Sequence, residues 1–196
     1  MRTREATLAV LLSGTGRTLD SLISHIRRGE LPARIGLVLA SRECPGAAIA
    51  RSAGIPVLVE PGRLSAARLE SVLRQHDIDL VVLAGYLHLV PIPESYRGRV
   101  VNMHPALLPA FGGPGMFGPR VHRAVIDAGA HTSGCTVHLC GDEYDTGPIL
   151  LQRTCPVLPG DTPETLAARV FELEREAYPE ALATLIRQLP APEART

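Results

Sequence analysis

Two polar residues, Asn102 and His104, end an apolar run and are followed by a loop bounded by prolines. Residues two apart on an extended strand project from the same face, so both side chains are expected to point the same way beyond the strand. Pro105 favours extended backbone at His104, which supports this interpretation. A carboxamide supplies a neutral hydrogen-bond donor and an imidazole changes protonation near neutral pH, so the pair suits a reaction that builds and collapses an oxyanion. The alternative is that backbone groups satisfy both residues.

An acidic segment, residues 142–148, lies between two apolar runs and carries the carboxylates of Asp142, Glu143 and Asp145. A carboxylate at this position is able to orient His104 or share a proton with it, and its proximity would raise the pKa of the imidazole. The alternative is a solvated hairpin turn.

A glycine turn follows the first apolar run and comprises Gly14, Thr15, Gly16, Arg17 and Thr18. A strand, a glycine turn and a helix N-terminus form an anion site from free backbone N–H groups and the helix dipole, and Arg17 adds a positive charge. The third glycine of the dinucleotide fingerprint is absent, because Leu19 occupies its position, and no Gly-Lys-Ser/Thr follows. The turn therefore favours a phosphomonoester over a pyrophosphate, with a plain tight turn as the alternative.

Residues 83–90 are apolar beyond the length of one strand. They are interpreted as an apolar wall that offers backbone hydrogen bonds to a flat ligand. The alternative is core structure that continues into a short helix. His88 has no evident partner and is expected to be structural or exposed.

The elements that must position these residues alternate between strands and helices. Short apolar runs without alternation indicate strands buried on both faces, as in a parallel sheet, and helices between them indicate right-handed crossovers. Strands are predicted at 7–12, 34–40, 55–59, 80–84, 100–103, 136–139 and 149–157. Helices are predicted over 19–26, at 46–54, 64–76 and 120–128, and from 161 or 162 to 189. The fold class is α/β, with a Rossmann-like, mostly parallel sheet between two layers of helices.

Composition limits the classes of function. With 196 residues, of which 45% are hydrophobic and 20% charged, a single domain spanning 1–196 is expected. Its N-terminal half, about 1–100, is expected to form the phosphate-binding side, and its second half, about 101–190, the catalytic side. Residues 190–196 are expected to form a frayed tail. The formal net charge is zero, which argues against a nucleic-acid partner.

The four cysteines, Cys44, Cys135, Cys140 and Cys155, form no Cys-x-x-Cys pair and no zinc-site spacing. They are expected to be reduced thiols, and no metal is expected. The N-terminus has no long apolar segment, and charged or helix-breaking residues interrupt the most apolar window, 78–92. A cytoplasmic protein with no membrane partner is therefore expected.

Together, these motifs resemble those of the phosphoribosylglycinamide formyltransferases, a folate-dependent formyltransferase family of purine synthesis. The resemblance runs in order through nearly the whole chain. The matching segments are Ser13-Gly14-x-Gly16, Leu83-Ala84-Gly85-Tyr86, Asn102-x-His104-Pro105-x-Leu107-Leu108-Pro109 and Asp142-Glu143-x-Asp145-x-Gly147-Pro148.

The resemblance implies the formyltransferase fold and transfer of a formyl group from 10-formyltetrahydrofolate to the amine of glycinamide ribonucleotide, without a metal. It implies Asn102, His104 and Asp145 as the catalytic trio, residues 14–18 as the phosphate turn, and Pro105 and Glu174 as contacts of the acceptor. It also implies a cis peptide at Leu108–Pro109 and a monomer or homodimer. Its folate-binding residues would be Tyr86, Leu87, His88, Leu89, Val90, Cys140, Gly141 and Asp142.

The chain departs from the family pattern in two places. The commonest phosphate turn of the family is Ser-Gly-Asn-Gly-Ser-Asn, whereas Thr15, Arg17 and Thr18 stand here, and Arg17 is interpreted as an extra phosphate ligand. Pro114 stands where a related subset has lysine. Both departures bear on the acceptor more than on the formyl donor.

Other functions remain as alternatives at this stage. A formyltransferase acting on another amine, such as an amino-sugar nucleotide, shares the same core. Methionyl-tRNA formylation and formyltetrahydrofolate hydrolysis are less favoured, because those enzymes typically carry additional domains. A non-catalytic nucleotide-binding module would be expected to lack part of the trio, and an NAD-dependent oxidoreductase would require an acidic residue where Ser41-Arg42 stands.

Overall fold

The computed structural model describes residues 5–190, and residues 1–4 and 191–196 lie outside the described part. Its strands are β1 (Ala6–Leu12), β2 (Ala33–Ala40), β3 (Val57–Val59), β4 (Leu80–Leu83), β5 (Val100–His104), β6 (Thr132–Leu139) and β7 (Ile149–Pro156). They form one sheet in the order β3-β2-β1-β4-β5-β6-β7. The pairings from β3 to β5 are parallel, and β6 and β7 join antiparallel. The sheet is therefore mostly parallel, as predicted.

The helices are α1 (Arg17–Arg27), α2 (Pro45–Ser52), α3 (Ala66–Gln75), α4 (Pro119–Asp127) and α5 (Pro163–Gln188), with a 3₁₀ turn at Glu94–Tyr96. Alternate residues of β1 enter different cores. Leu8 and Val10 pack with α1, α2, α4 and α5 on one face, and Ala9 and Leu11 pack with α3 on the other. The three-layer α/β/α prediction is confirmed.

Helix α5 begins where the sequence predicted. Thr162 accepts a hydrogen bond from the Thr165 N–H while the Thr165 side chain bonds back to Thr162, and Pro163 occupies the first turn. Farther along, the buried Tyr178 hydroxyl lies 2.9 Å from the Leu83 carbonyl oxygen and 3.0 Å from that of Val101. These contacts attach α5 to the last residue of β4 and to the adjacent strand β5.

Two local predictions need correction. Strand β6 begins at Thr132, four residues before the predicted start, and is largely buried. Residues 132–134 were not predicted as strand because their side chains are small or polar. Residues 84–90 form bends and irregular backbone with alternating exposure, so the short-helix alternative is wrong. Of the predicted tail, only Pro190 lies within the described residues. Within residues 5–190, no helix is both long and apolar enough to cross a membrane.

Candidate active site

The carboxyl end of β5 opens onto a cavity of about 430 Å³, which Asn102, His104 and Asp145 all line. A smaller cavity adjoins it, and Asn102 and Asp145 line that one as well. The two side chains therefore lie at the junction of the two cavities. This is the edge of the sheet at which open α/β folds bind ligands.

His104 is almost fully buried, and one of its nitrogens is fixed by the backbone. Nε2 lies 2.8 Å from the carbonyl oxygen of Phe111, which can only accept a hydrogen bond, so Nε2 carries a proton. Nδ1 lies 3.5 Å from Oδ2 of Asp145. Nδ1 is therefore the nitrogen on which His104 gains or loses its proton.

Asp145 is held in place from the opposite loop. The N–H of Gly113 donates to its Oδ2 at 2.9 Å, and its backbone adopts φ 58°, a left-handed conformation that is uncommon for a residue with a side chain. A Cβ at Gly112 would lie 3.2 Å from Cβ of Asp145 and 2.5 Å from the Leu108 side chain. Glycine at position 112 therefore lets the loop approach the carboxylate closely.

A second buried histidine, His138 on β6, completes the cluster. It pairs with Asn102 in the β5–β6 register, and its Nε2 lies 3.2 Å from Nδ2 of Asn102 and 3.5 Å from Oδ1 of Asp145. Its Nδ1 lies 2.9 Å from the carbonyl oxygen of Leu139 and so donates to it. In the neutral ring, Nε2 then accepts from the Asn102 amide, which fixes the orientation of that amide. His138 is not among the site residues that the sequence predicted.

The protonation of His104 differs from the expectation. Burial lowers its pKa below the ordinary value for histidine, and the Asp145 carboxylate and Phe111 carbonyl offset this only in part. Asp145 does act to raise the pKa of His104, as predicted, but the larger effect of burial makes the net shift a lowering. Burial acts on the pKa of Asp145 in the raising direction, but the hydrogen bonds at its carboxylate and the charge that His104 carries when protonated outweigh burial and hold this pKa below the ordinary value. The resting site therefore pairs a neutral imidazole with a carboxylate.

The phosphate turn reaches the larger cavity through its last two residues, Arg17 and Thr18, whereas Gly14, Thr15 and Gly16 do not line it. Gly16 begins α1 with φ 80°, and a Cβ there would lie 2.5 Å from the Gly46 backbone, so only glycine fits. No side chain caps α1, which leaves its first N–H groups available to an anion.

Pro105 and Glu174, the expected acceptor contacts, also line the larger cavity. Glu174 lies on α5, and burial raises the pKa of its carboxyl to about 7, an effect that the charge of Arg17 partly opposes. The site thus contains a second carboxyl group, which changes charge near neutral pH.

The residues predicted to bind folate divide between the cavities. The smaller cavity is lined by Tyr86, His88, Leu89, Val90, Cys140 and Gly141, and Leu87 lines the larger one. Asp142 lines neither cavity. It is exposed, and its carboxylate lies 3.3 Å from the Arg97 guanidinium.

The loop between β5 and α4 is attached to the sheet at its start. Thr136 donates to the Ala106 carbonyl at 2.6 Å and accepts from the Leu108 N–H at 3.0 Å. Gln152 donates to the Leu108 carbonyl at 3.0 Å. The Leu108–Pro109 peptide is cis, as the resemblance implied. These contacts hold the segment that carries Phe111 and Gly113 toward the cluster.

Comparisons with known proteins agree with this architecture. The model of the formyl transferase family matches residues 6–182. A chloroplastic phosphoribosylglycinamide formyltransferase of Vigna unguiculata is 42% identical over 194 residues, which cover 94% of this chain and 62% of that protein. The chain therefore spans less than two thirds of the length of that plant relative.

Solved structures show the same relationship. Glycinamide ribonucleotide transformylase 1 of Symbiobacterium toebii superposes with a TM-score of 0.87 at 34% identity, covering 100% of this chain and 93% of that one. A phosphoribosylglycinamide formyltransferase of Brucella melitensis gives 0.82 at 36% identity, covering 96% and 99%. With the family match over residues 6–182, these similarities lead to one conclusion: the chain belongs to the formyl transferase family.

Proposed function

We propose that this protein transfers the formyl group of 10-formyltetrahydrofolate to the primary amine of glycinamide ribonucleotide, in purine biosynthesis. The observation that carries the proposal is the position of Asn102 and Asp145 at the junction of the two cavities, with His104 facing the larger one. The similarity to phosphoribosylglycinamide formyltransferases supports the choice of substrates. The four cysteines are free thiols, which supports a reducing compartment such as the cytoplasm.

Each cavity is assigned one substrate. The larger cavity would take the acceptor, because Arg17, Asn102, His104 and Asp145 all line it. The smaller cavity would take the pterin ring, because it is lined by apolar side chains and backbone from residues 86–90 and 140–141. The formyl carbon would then lie at the junction, within reach of Asn102 and Asp145.

The first chemical step is activation of the amine. An alkylammonium must lose a proton before its nitrogen can attack, and the neutral Nδ1 of His104 is available to take it. The resulting imidazolium lies beside the Asp145 carboxylate, 3.5 Å away, which stabilises its charge. One proton transfer thus produces both a nucleophile and a cationic hydrogen-bond donor.

Attack of the amine nitrogen on the formyl carbon converts the carbonyl into a tetrahedral oxyanion. The Nδ1–H of His104 and an N–H of Asn102 are the two donors for that oxygen. The contact between Asn102 Nδ2 and Asp145 Oδ1 is long, at 3.4 Å, so this N–H is only weakly engaged before the substrate arrives.

Collapse of the intermediate re-forms the carbonyl and breaks the bond to N10 of the folate. The attacking nitrogen must lose its remaining extra proton, and N10 must gain one to leave as a neutral amine. Asp145 would relay this proton through a water molecule, since it lies at the junction between both substrates. The products are the formamide of the acceptor and tetrahydrofolate, and no covalent enzyme intermediate or metal takes part.

The test of the acceptor is a comparison of initial rates with different amines. The release of tetrahydrofolate is followed by absorbance with glycinamide ribonucleotide, with a 4-amino-sugar nucleotide and with no acceptor. The proposal predicts turnover that depends on glycinamide ribonucleotide. Faster turnover with the amino-sugar nucleotide would overturn the assigned acceptor, and equal turnover without any acceptor would indicate a hydrolase.

A further inference from the structure

His122 on α4 is a buried histidine without a hydrogen-bond partner. The residue is 4% exposed, and its Nδ1 is enclosed by protein and unpaired. No described residue forms a hydrogen bond with its Nε2 either. Buried polar groups of folded proteins are nearly always paired, so this ring points to a partner that is not part of the fold itself.

The place of His122 in the fold identifies where that partner would bind. Within residues 5–190, three side chains have an enclosed polar atom without a partner, and of Ser21, His122 and Ser133 only His122 lines the larger cavity. The residues of α4 that are buried with it, Val121 and Val125, are apolar. The helix therefore presents one polar ring from its buried side, and that ring borders the acceptor cavity.

The two ring nitrogens of His122 have different surroundings. Nδ1 is enclosed, whereas Nε2 is not, so Nε2 is the nitrogen that a molecule in the cavity can contact. Burial and the charge that His104 carries when protonated both lower the pKa of His122, so the ring is neutral and carries one proton. Buried N–H groups without an acceptor are rarer than unpaired acceptors, which places this proton on Nε2. The cavity thus contains a neutral hydrogen-bond donor.

Only one atom of a glycinamide group can accept this hydrogen bond. The protonated amine and the amide N–H are donors, which leaves the carboxamide oxygen as the acceptor. The carboxamide carbon is bonded to the carbon that carries the amine, so its oxygen lies near the residue that receives the amine proton. His104 is that residue in the proposed reaction, and it is close enough to His122 for its charge to lower the pKa of the second ring.

A neutral donor suits this position better than a charged one. The amine of the acceptor arrives as an ammonium, and His104 becomes an imidazolium when it takes the proton, so a cation at His122 would repel both. A hydrogen bond from a neutral ring to an uncharged oxygen orients the neighbouring amine without opposing the proton transfer.

We propose that His122 binds the carboxamide oxygen of the acceptor through Nε2–H and thereby directs the adjacent amine toward the formyl carbon. His122 binds the substrate and exchanges no proton in the reaction. The inference rests on the proposed function for the identity of the acceptor. His122 is not among the site residues that the sequence predicted.

Calorimetric titration in the absence of folate measures acceptor binding without turnover. His122→Phe keeps an aromatic ring but has no donor, and it is expected to weaken binding of glycinamide ribonucleotide by about fivefold to tenfold, because one hydrogen bond is lost. Ribose 5-phosphate lacks the glycinamide group, so the variant should bind it within about twofold of the wild-type affinity. Asp127→Asn, at the exposed end of α4, is the matched control and should change neither affinity.

Two amide variants identify the nitrogen that makes the contact. A glutamine side chain places its N–H near the position of Nε2, whereas an asparagine side chain places its N–H near that of Nδ1. His122→Gln is therefore expected to recover part of the affinity for glycinamide ribonucleotide, and His122→Asn to resemble His122→Phe. A thermal melt of each variant checks that it is folded.

The ring nitrogens of the wild-type protein supply a second readout, which does not depend on a substitution. In ¹⁵N NMR spectra, Nε2 of His122 should carry the proton. Its signal should shift more with glycinamide ribonucleotide than with ribose 5-phosphate, because only the former supplies the carboxamide oxygen.

Four outcomes would overturn the inference. They are an affinity of His122→Phe for glycinamide ribonucleotide within about twofold of wild type, equal losses for the two ligands, recovery by His122→Asn rather than His122→Gln, and a wild-type ring with its proton on Nδ1. Formylation of glycinamide ribonucleotide by the wild type together with any of these would leave the proposed function intact. A selective loss of glycinamide ribonucleotide binding in His122→Phe, without formylation by the wild type, would support the contact and contradict the proposed function. No binding of glycinamide ribonucleotide by the wild type would overturn both.

Discussion

Nε2 of His138 lies 3.2 Å from the side-chain nitrogen of Asn102, directly across the antiparallel pair of β5 and β6. His138 is fully buried and its other nitrogen is held by the Leu139 carbonyl. The histidine therefore orients the Asn102 amide, although it does not line the larger cavity. This makes His138 a positioning residue for the proposed oxyanion donor.

Substitution of His138 by Phe is expected to lower kcat by about tenfold to a hundredfold, because small misplacements of catalytic groups cost rates of this order. The KM values for both substrates should stay within about threefold, because neither substrate site is removed. Steady-state kinetics measure both quantities. His131→Phe, at an exposed position just before β6, is the matched control. A His138→Phe variant with unchanged kcat would contradict the positioning role.

The His104 imidazole is expected to titrate below the usual range for histidine, because burial disfavours its charged form. The Asp145 carboxylate stabilises the charged ring, so Asp145→Asn should lower the pKa of His104 further. Titration of the His104 ring signals by NMR in the two proteins, without substrates, measures both values. A pKa for His104 that rises or stays the same in Asp145→Asn would show that the carboxylate does not act on this ring.

Glu174 is expected to make stability depend on pH. Its pKa is raised to about 7 in the folded protein from an ordinary value near 4.5, so the folded state binds more protons between these two values. The contribution of this pKa difference to the free energy of unfolding is fully present below about pH 4.5 and is lost as pH rises through about 7. Glu174→Gln removes this titration, so the Tm of the variant relative to wild type should increase between pH 5 and pH 8.

Glu172→Gln is the matched control for that measurement, since Glu172 lies on the same helix in an exposed pair with Arg175. Its Tm difference from wild type should change little over the same pH range. A constant difference between Glu174→Gln and wild type from pH 5 to pH 8 would mean that the Glu174 carboxyl has an ordinary pKa.

Much of the fold followed from local sequence signals. The apolar runs of β1 and β4 indicate strands buried on both faces, and Thr162 with Pro163 marks the start of α5, because these signals act within a few residues. Strand β6 was predicted too short, since the residues at its start have small or polar side chains and join the sheet by pairing with β7.

The candidate site was predictable where one segment carries the signal. Asn102 and His104 share a strand, and both line the same cavity. His138 was missed because its partner lies 36 residues away and becomes a neighbour only through the register of β5 and β6. That pairing, with a buried polar residue opposite Asn102, is the signal that could have identified it. The prediction of a raised pKa for His104 was wrong in its net direction, because burial lowers this pKa and the extent of burial depends on the whole fold.

The central claim is tested most directly by following the formyl carbon itself. The protein is incubated with 10-[¹³C]formyltetrahydrofolate and glycinamide ribonucleotide, and the products are identified by ¹³C NMR and mass spectrometry, with His104→Ala in parallel. The account predicts that the label appears in a formamide on the glycinamide nitrogen, in amounts equal to the tetrahydrofolate released, and that His104→Ala nearly abolishes this product. Two results would contradict the account. One is recovery of the label as formate, and the other is formation of the labelled formamide by His104→Ala at the wild-type rate.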